Sequence, residues 1–171
     1  MRQYSFSDKL CMQLDTIFKI LTGNNTPTPE SRPNPGQSIN EPPLSSAEKK
    51  QVASMMRVNY AGEVCAQALY QGQAFTTKNW QLKQKLTEAG QEEQDHLLWC
   101  QSRIKDLNSH VSYLNPIWYS GAFLLGTLAG LCGDRWNLGF LAETEQQVTQ
   151  HLESHIEKLP KQDTKTKTIL M

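Results

Sequence analysis

A carboxylate and an imidazole stand three residues apart at Glu93 and His96, in a segment with the apolar periodicity of an amphipathic helix. Both residues fall on the apolar line of that helix, where core hydrophobic side chains are expected. Burying an ionised carboxylate without a partner is costly or forces it to take up a proton. Glu93 therefore needs a partner charge, and a metal ion is the strongest candidate. The alternative for this helix alone is a solvated Glu93 beside a core histidine.

Two further carboxylates occupy core lines on other predicted helices. Glu63 lies in a long helix predicted over 46–76, and Glu145 lies in one predicted over 135–159, while the Glu93 helix covers 80–107. Three such carboxylates are hard to explain as isolated polar groups in a core. Helix bundles that bind two irons place Glu and Glu-x-x-His residues in this way, all pointing inward. Carboxylate and imidazole ligands suit iron or manganese.

Several neighbouring residues compete for a role at this site. Glu92 and Glu143 lie one or two positions off their stripes, which predicts solvated side chains. His151 and His155 fall towards the edge of the inner face of their helix, which favours hydrogen bonding over direct coordination. Asn59 interrupts the apolar line one turn before Glu63, and an inward amide there could hydrogen-bond a ligand.

Composition excludes several classes of protein. The formal net charge of the 171 residues is zero, which removes the electrostatic footprint of a nucleic-acid binder. The four cysteines are scattered without a CxxC pair, which argues against a disulfide framework and a thiolate zinc site and suits a reducing compartment. The first residues lack the apolar region of a signal peptide. These features predict a protein in the cytoplasm or on a surface that faces it.

The chain divides into three parts. An amphipathic helix is predicted in the N-terminal segment 1–22, which either docks on the domain or lies on a membrane. Segment 23–44 contains six of the eight prolines and is predicted to be a linker without its own core. The main domain, 45–171, begins with a capping box formed by Ser45 and Glu48. One side of the N-terminal helix is apolar: Phe6, Leu10, Leu14, Ile17, Phe18 and Leu21.

An uncharged stretch of 23 residues runs from Val111 to Gly133. Its length is near that of a membrane-spanning helix, but Pro116 and four glycines shorten and weaken it. Three alternatives remain: a membrane span, an ordinary buried helix, and a helix that lies in one leaflet. Trp118 and Tyr119 suit an interfacial depth.

Four blocks of the sequence are similar to a known family. The block from Arg57 to Gln73, RVNYAGEVCAQALYQGQ, resembles the bacterial form of the demethoxyubiquinone hydroxylase family. The same resemblance holds for Glu93–Cys100, for Leu114–Pro116 and for Leu138–Phe140, which leads on to Glu145. It covers essentially the whole chain.

The resemblance implies a di-iron monooxygenase that hydroxylates a polyprenyl methoxy-benzoquinol with O₂, a late step of ubiquinone biosynthesis. The implied fold is an all-α, ferritin-like bundle, peripheral to the cell membrane on its cytoplasmic side, with the uncharged stretch dipping into the leaflet. Glu63, Glu93, His96 and Glu145 correspond to the iron ligands, with Glu93 bridging, and His151 to a histidine near the metals. Implied partners are the quinol, O₂, membrane lipid and other ubiquinone-biosynthesis proteins, without nucleic acid.

The sequence departs from the family pattern in one respect. Members carry a second Glu-x-x-His on a further helix, and this chain ends before it. We therefore expect a C-terminally incomplete bundle that exposes an apolar side and binds the second of two irons poorly. The alternatives are an impaired fragment that keeps quinone and membrane binding, and a ferritin-like iron-binding protein without oxygenase activity.

Overall fold

The helical periodicity correctly predicts an all-α protein. The computed structural model describes residues 5–29 and 31–171, and the side chains of Phe6, Lys9, Leu10, Met12 and Gln13 lie outside this description. Its six helices are α1 (Phe6–Thr22), α2 (Ser46–Thr76), α3 (Trp80–Asp106), α4 (Asn115–Leu131), α5 (Asp134–Lys158) and α6 (Thr164–Leu170). The described ranges contain no strand, and the three long helices lie within one residue of their predicted bounds.

Helices α2 and α3 form the antiparallel hairpin on which the candidate site is built. The predicted capping box starts α2, since Glu48 accepts the Ser45 N–H at 2.8 Å and the Ser45 hydroxyl accepts the Glu48 N–H at 3.3 Å. The Asn79 side chain caps α3. Because only 77–79 separate the helices, they lie side by side. Their facing stripes supply most of the core: Val52, Met56, Tyr60, Val64, Leu97, Cys100 and Ile104.

Helix α4 is a crossover that returns along α2 before α5 runs back. The Tyr119 hydroxyl donates to Gln71 at 2.5 Å, while Gly130 lies further up α2 against Thr76, so α4 is parallel to α2. Helix α5 is antiparallel to α2, because its start contacts Gln73 and its last residue, Lys158, contacts Gln51. A single crossover of this kind is typical of a ferritin-like bundle, as predicted.

Two glycines allow α2 and α4 to touch through their backbones. A Cβ atom at Gly126 would lie 2.2 Å from the Leu69 carbonyl oxygen, and one at Gly72 would lie 2.3 Å from that of Phe123. A side chain at either position would push the helices apart. Gly126, which counts against a membrane span in the sequence, therefore serves close helix packing.

The opposite face of α4 is apolar and exposed. Only Asn115, Tyr119, Gly126 and Gly130 of this helix are buried. The large apolar side chains exposed on α4 and at the start of α5 are Ile117, Trp118, Leu124, Leu125, Leu128, Leu131, Trp136, Leu138 and Phe140. Across the described ranges, no helix combines the length and the hydropathy needed to cross a membrane.

The N-terminal helix docks on the domain along one edge. Ile20 is fully buried, and Ile17 and Leu21 pack against the same core, whereas Leu14 and Phe18 are exposed. The other predicted apolar residues of this helix, Phe6 and Leu10, lie outside the described side chains. The described part of α1 therefore docks on the domain, which is the first of the two predicted alternatives.

The proline-rich segment has no helix in its described part, yet it lies along α3. The Asn25 backbone N–H donates to Gln101 at 3.0 Å, and Leu44 joins the core. Further along, the buried Arg103 guanidinium binds Glu41 at 2.7 Å and Asp163 at 2.8 Å. One arginine of α3 therefore holds both the proline-rich segment and the cap of α6.

The predicted stripe of α5 faces the core at Leu141, Leu152 and Ile156, which are partly buried, but the prediction that the whole stripe is buried is wrong. Asn137 is the only residue of α5 that is buried in the described structure, and Glu145, placed on a core line by periodicity, is exposed. The helix contacts α2 and α4 along one edge, and nothing in residues 5–29 or 31–171 covers its other side. Periodicity correctly identifies an apolar face but cannot reveal whether another element covers it.

Candidate metal centre

Three side chains predicted as ligands converge between α2 and α3. Glu63 of α2 and Glu93 and His96 of α3 each offer a ligand atom, and these atoms lie within 4.8 Å of one another. His96 Nδ1 lies 3.4 Å from Glu93 Oε2 and 3.9 Å from Glu63 Oε2. In the described residues this is the only such cluster of His, Cys, Asp or Glu. The i,i+3 spacing and the α2–α3 hairpin thus assemble one oxygen–nitrogen site.

The site is buried on its carboxylate side and open on its imidazole side. The side chains of Glu63 and Glu93 are 9% and 13% exposed, and that of His96 is 41% exposed. Tyr60 and Val64 flank Glu63, and Leu97 and Cys100 follow His96, all buried. The carboxylates are therefore shielded from water, while the imidazole stays accessible.

The two carboxylates cannot both be comfortably ionised without a cation. Burial, followed by the contact with the Glu93 carboxyl, raises the pKa of Glu63 well above its ordinary value. Burial also opposes ionisation of Glu93, but its hydrogen bonds to His96 and Glu63 and the positive charge of Arg32 outweigh burial and lower its pKa. The metal-free pair thus keeps a proton on Glu63 and a charge on Glu93.

The donor set fits a divalent iron or manganese ion. No lysine or arginine in the described ranges forms an ion pair with Glu63 or Glu93, so a metal ion is the natural counter-charge. Two carboxylates and one imidazole offer oxygen and nitrogen donors of the kind these ions bind. Cys100, the nearby thiol, is buried, and burial raises its pKa well above the ordinary value, which disfavours thiolate coordination.

Arg32, which has no signature in the sequence, lies beside His96. Arg32 binds Asp95 through Nε at 2.7 Å and lies over the Trp99 ring, with its guanidinium carbon 5.1 Å from the ring centroid. The centroids of the Trp99 and His96 rings are 5.2 Å apart. Arg32 thus rests on α3 residues on both sides of the imidazole. It lies in a segment without periodicity, so no sequence pattern indicates its position.

Glu145, the fourth predicted ligand, lies outside the three-residue cluster. Its carboxylate accepts a hydrogen bond from the hydroxyl of Tyr70, which is buried on α2 two turns beyond Glu63. Burial, then the bond to Glu145 and the neighbouring carboxylates, raise the pKa of Tyr70, so the phenol stays protonated. An aromatic residue on the apolar stripe of a helix usually serves packing, so the sequence alone gives no sign of this hydrogen bond.

The predicted supporting residues lie further along α5. His155 Nδ1 is 2.7 Å from Asn59 Oδ1, so these two side chains hydrogen-bond each other rather than a ligand of the metal. The exposed His151 ring contacts that of His155, with centroids 4.1 Å apart and the ring planes tilted by 55°. Neither histidine belongs to the metal-ligating cluster, and the role of His151 near the metals stays a prediction.

The two rival carboxylates are solvent-exposed, as predicted. Glu92 is exposed on the outer side of α3, and Glu143 is exposed on α5, where Gln147 donates to it at 2.8 Å. The burial pattern on α3 therefore distinguishes Glu93 from Glu92.

The chain is similar to known proteins over most of its length. Residues 50–171 match the family model described as Ubiquinone biosynthesis protein COQ7. The chain is 48% identical over 164 residues to the 3-demethoxyubiquinol 3-hydroxylase of Polynucleobacter necessarius, covering 95% of this chain and 77% of that protein. It is 50% identical over 163 residues to the one of Nitrosomonas eutropha, with the same two shares.

A protein of the same name from Legionella pneumophila, strain Corby, is 49% identical over 174 residues. That match covers 99% of this chain and 79% of the relative. No solved structure matched the chain.

Proposed function

This chain belongs to the COQ7 family of ubiquinone biosynthesis proteins, and from that membership we propose that it hydroxylates 3-demethoxyubiquinol with O₂ at an iron site. The observation that carries the proposal is the convergence of Glu63, Glu93 and His96 in a partly buried site open on one side. These are three of the four residues that the family resemblance assigns to iron. The relatives' shared name supports the substrate.

The proposed reaction inserts one oxygen atom of O₂ into a ring C–H bond and reduces the other to water. It consumes two electrons and two protons, supplied by an external reductant or through the quinol itself. Bound iron would supply the activation of O₂, which organic side chains cannot perform. We propose that the protein holds two irons, as the family resemblance implies.

The protein's own side chains would hold the metal and manage its charge. Glu93 is the ionised carboxylate of the metal-free pair and supplies the first negative charge. Glu63 must lose its proton when a cation arrives, so metal binding releases a proton. His96, being half-exposed, supplies nitrogen on the open side, where a substrate has access.

We also propose that the protein lies on the cytoplasmic surface of the cell membrane through α4. The helix has no charged residue, and its outer face exposes Ile117, Leu124 and Leu128 together with Trp118. Its inner face packs on α2, the helix of Glu63, so a lipid-bound α4 would keep the site near the membrane surface. A polyprenyl quinol stays in the lipid phase, and this arrangement allows it to reach the site without entering water.

Turnover and iron content test the catalytic proposal together. The protein is reconstituted anaerobically with Fe²⁺, and hydroxylated quinol is measured after addition of O₂ and a reductant. Glu63→Ala and His96→Ala should abolish iron-dependent hydroxylation, whereas Glu92→Ala, at an exposed carboxylate on α3, should retain it. Full activity in either site variant would refute the assignment. Quinone binding without turnover in the unmodified protein would favour a non-catalytic binding protein.

Vesicle flotation tests the membrane proposal. Leu124→Glu and Leu128→Glu place a charge on the exposed face of α4 and should weaken binding to vesicles. Val58→Glu is the matched control, because Val58 is an exposed apolar residue on α2. Equal losses in all three variants would refute a specific role for α4.

A further inference from the structure

The buried phenol of Tyr70 links the site to α5. Tyr70 follows Glu63 by seven residues on α2, so both side chains leave the helix on the same face. The ring packs in a cluster with Leu69, Leu82 and Leu86, and Leu141 of α5 packs against that cluster. Its hydroxyl donates to Glu145, one turn beyond Leu141. The apolar cluster fixes the ring, and the ring fixes the position of the donor.

Glu145 has little else to hold it. The residue is exposed, and α5 is buried only at Asn137. Among the hydrogen bonds of the described residues, Tyr70 is the one partner of the Glu145 carboxylate. An exposed glutamate side chain without that bond would sample several rotamers in water, and fixing it again costs entropy.

A phenol suits this purpose better than a basic side chain. A lysine or arginine would neutralise the Glu145 carboxylate and compete with a metal ion for it. A neutral O–H donor orients the carboxylate and leaves its negative charge in place. Glu145 is close enough to Glu63 for its charge to act on that carboxyl, so the oriented charge is felt at the cluster.

We propose that Tyr70 is a positioning residue that holds Glu145 facing the Glu63–Glu93–His96 cluster as a further carboxylate for the metal. This inference rests on the proposed function, because it requires that the cluster bind a divalent ion. Tyr70 acts through Glu145 and does not itself coordinate the ion. The structure thus extends the site from the α2–α3 hairpin to α5.

The test is a double-mutant cycle on metal binding, with Co²⁺ as a spectroscopic probe for the intact chain. Tyr70→Phe keeps the ring and removes the donor, and Glu145→Gln removes the carboxylate charge. Each variant should weaken Co²⁺ binding by about 10- to 100-fold, as expected when a supporting hydrogen bond is lost. The double variant should bind no more weakly than Glu145→Gln alone. Both single variants should shift the visible Co²⁺ spectrum in the same direction.

Tyr119→Phe is the matched control, because Tyr119 is also buried and donates to a side chain of α2, Gln71, that is not assigned to the metal. It should leave the Co²⁺ affinity unchanged. Circular dichroism and thermal melting verify folding, and Glu145→Gln, at an exposed position, tests the same bond if Tyr70→Phe does not fold.

Each outcome decides one of the two proposals. Unchanged affinity in a folded Tyr70→Phe, or losses that add in the double variant, would overturn the positioning role and leave the metal site standing. Failure of the unmodified protein to bind Co²⁺ or Fe²⁺ would overturn the metal site and this inference with it.

Discussion

Replacing Glu63 with glutamine should stabilise the metal-free protein while removing its metal site. The pKa of Glu63 is raised from 4.5 in the folded protein by burial and by Glu93. Between the unfolded and folded pKa values, the folded protein therefore binds more protons than the unfolded chain. Stability accordingly falls as pH rises through that window and stays low above it. Glutamine has no proton to lose, and its amide can donate to Glu93.

The geometry sets the scale of this effect. Two unit charges 4.8 Å apart, the largest separation between ligand atoms in the cluster, repel each other by about 3.5 kcal/mol in a medium of dielectric constant about 20. Proton uptake by Glu63 limits the cost that the folded protein bears, so we expect a gain of about 1–3 kcal/mol at neutral to alkaline pH. In a chain of this size each kcal/mol shifts the melting temperature by about 2–4 °C. At pH values below 4.5 the gain should vanish.

Thermal and urea unfolding in the presence of a chelator, followed across pH, measure the gain. Glu92→Gln is the control, because Glu92 is exposed on the adjacent helix and its change should alter stability little at any pH. A Glu63→Gln protein that is less stable than the parent at neutral pH, or whose gain does not depend on pH, would refute the reasoning. So would retention of full Fe²⁺ affinity.

Three further predictions concern the scaffold. Gly126→Ala should cost about 3 kcal/mol or more in urea unfolding, because the new methyl meets the backbone of α2, whereas Gly121→Ala, in open space on the same helix, should gain about 0.5–1 kcal/mol. Arg32→Ala should cost no more than about 1 kcal/mol and less at high salt, since the Arg32 side chain is 52% exposed in its pair with Asp95; a loss that ignores salt would contradict this. The pKa of His155 is lowered from 6.5 by burial and then by the neighbouring His151 and Lys158, so the folded protein binds fewer protons and loses stability as pH falls below that value. In His155→Gln the melting temperature should fall less steeply as the pH is lowered. An unchanged dependence of the melting temperature on pH would assign the loss of stability to other groups.

Sequence patterns predicted the parts of this protein that depend on local periodicity. The stripes of α2 and α3 face each other because each is flanked by a cap and by a three-residue connection. Glu63, Glu93 and His96 lie on those stripes, so their meeting follows from the hairpin alone. Glu93 was distinguished from Glu92 by its angular position, and the exposure of Glu92 agrees.

The remaining parts depend on contacts that periodicity does not encode. Glu145 lies on an apolar line, but its burial depends on whether another element covers α5. In the sequence Tyr70 resembles an ordinary core aromatic residue. In the structure its hydroxyl donates a hydrogen bond to a carboxylate 75 residues away. Arg32 lies in an irregular, proline-rich segment whose path along α3 has no signature in the spacing of its residues.

The contacts of Arg103 bear on how the protein unfolds. Its guanidinium joins Glu41, 62 residues earlier, to Asp163, 60 residues later, so one side chain closes two long loops. Closing a loop of that length costs an entropy equivalent to about 3–4 kcal/mol, which is recovered only when the rest of the domain is in place. We therefore expect these contacts to form late in folding, so that their loss mainly accelerates unfolding. In that case Arg103 affects the lifetime of the folded state more than the rate of folding, because its release frees the proline-rich segment and α6 together.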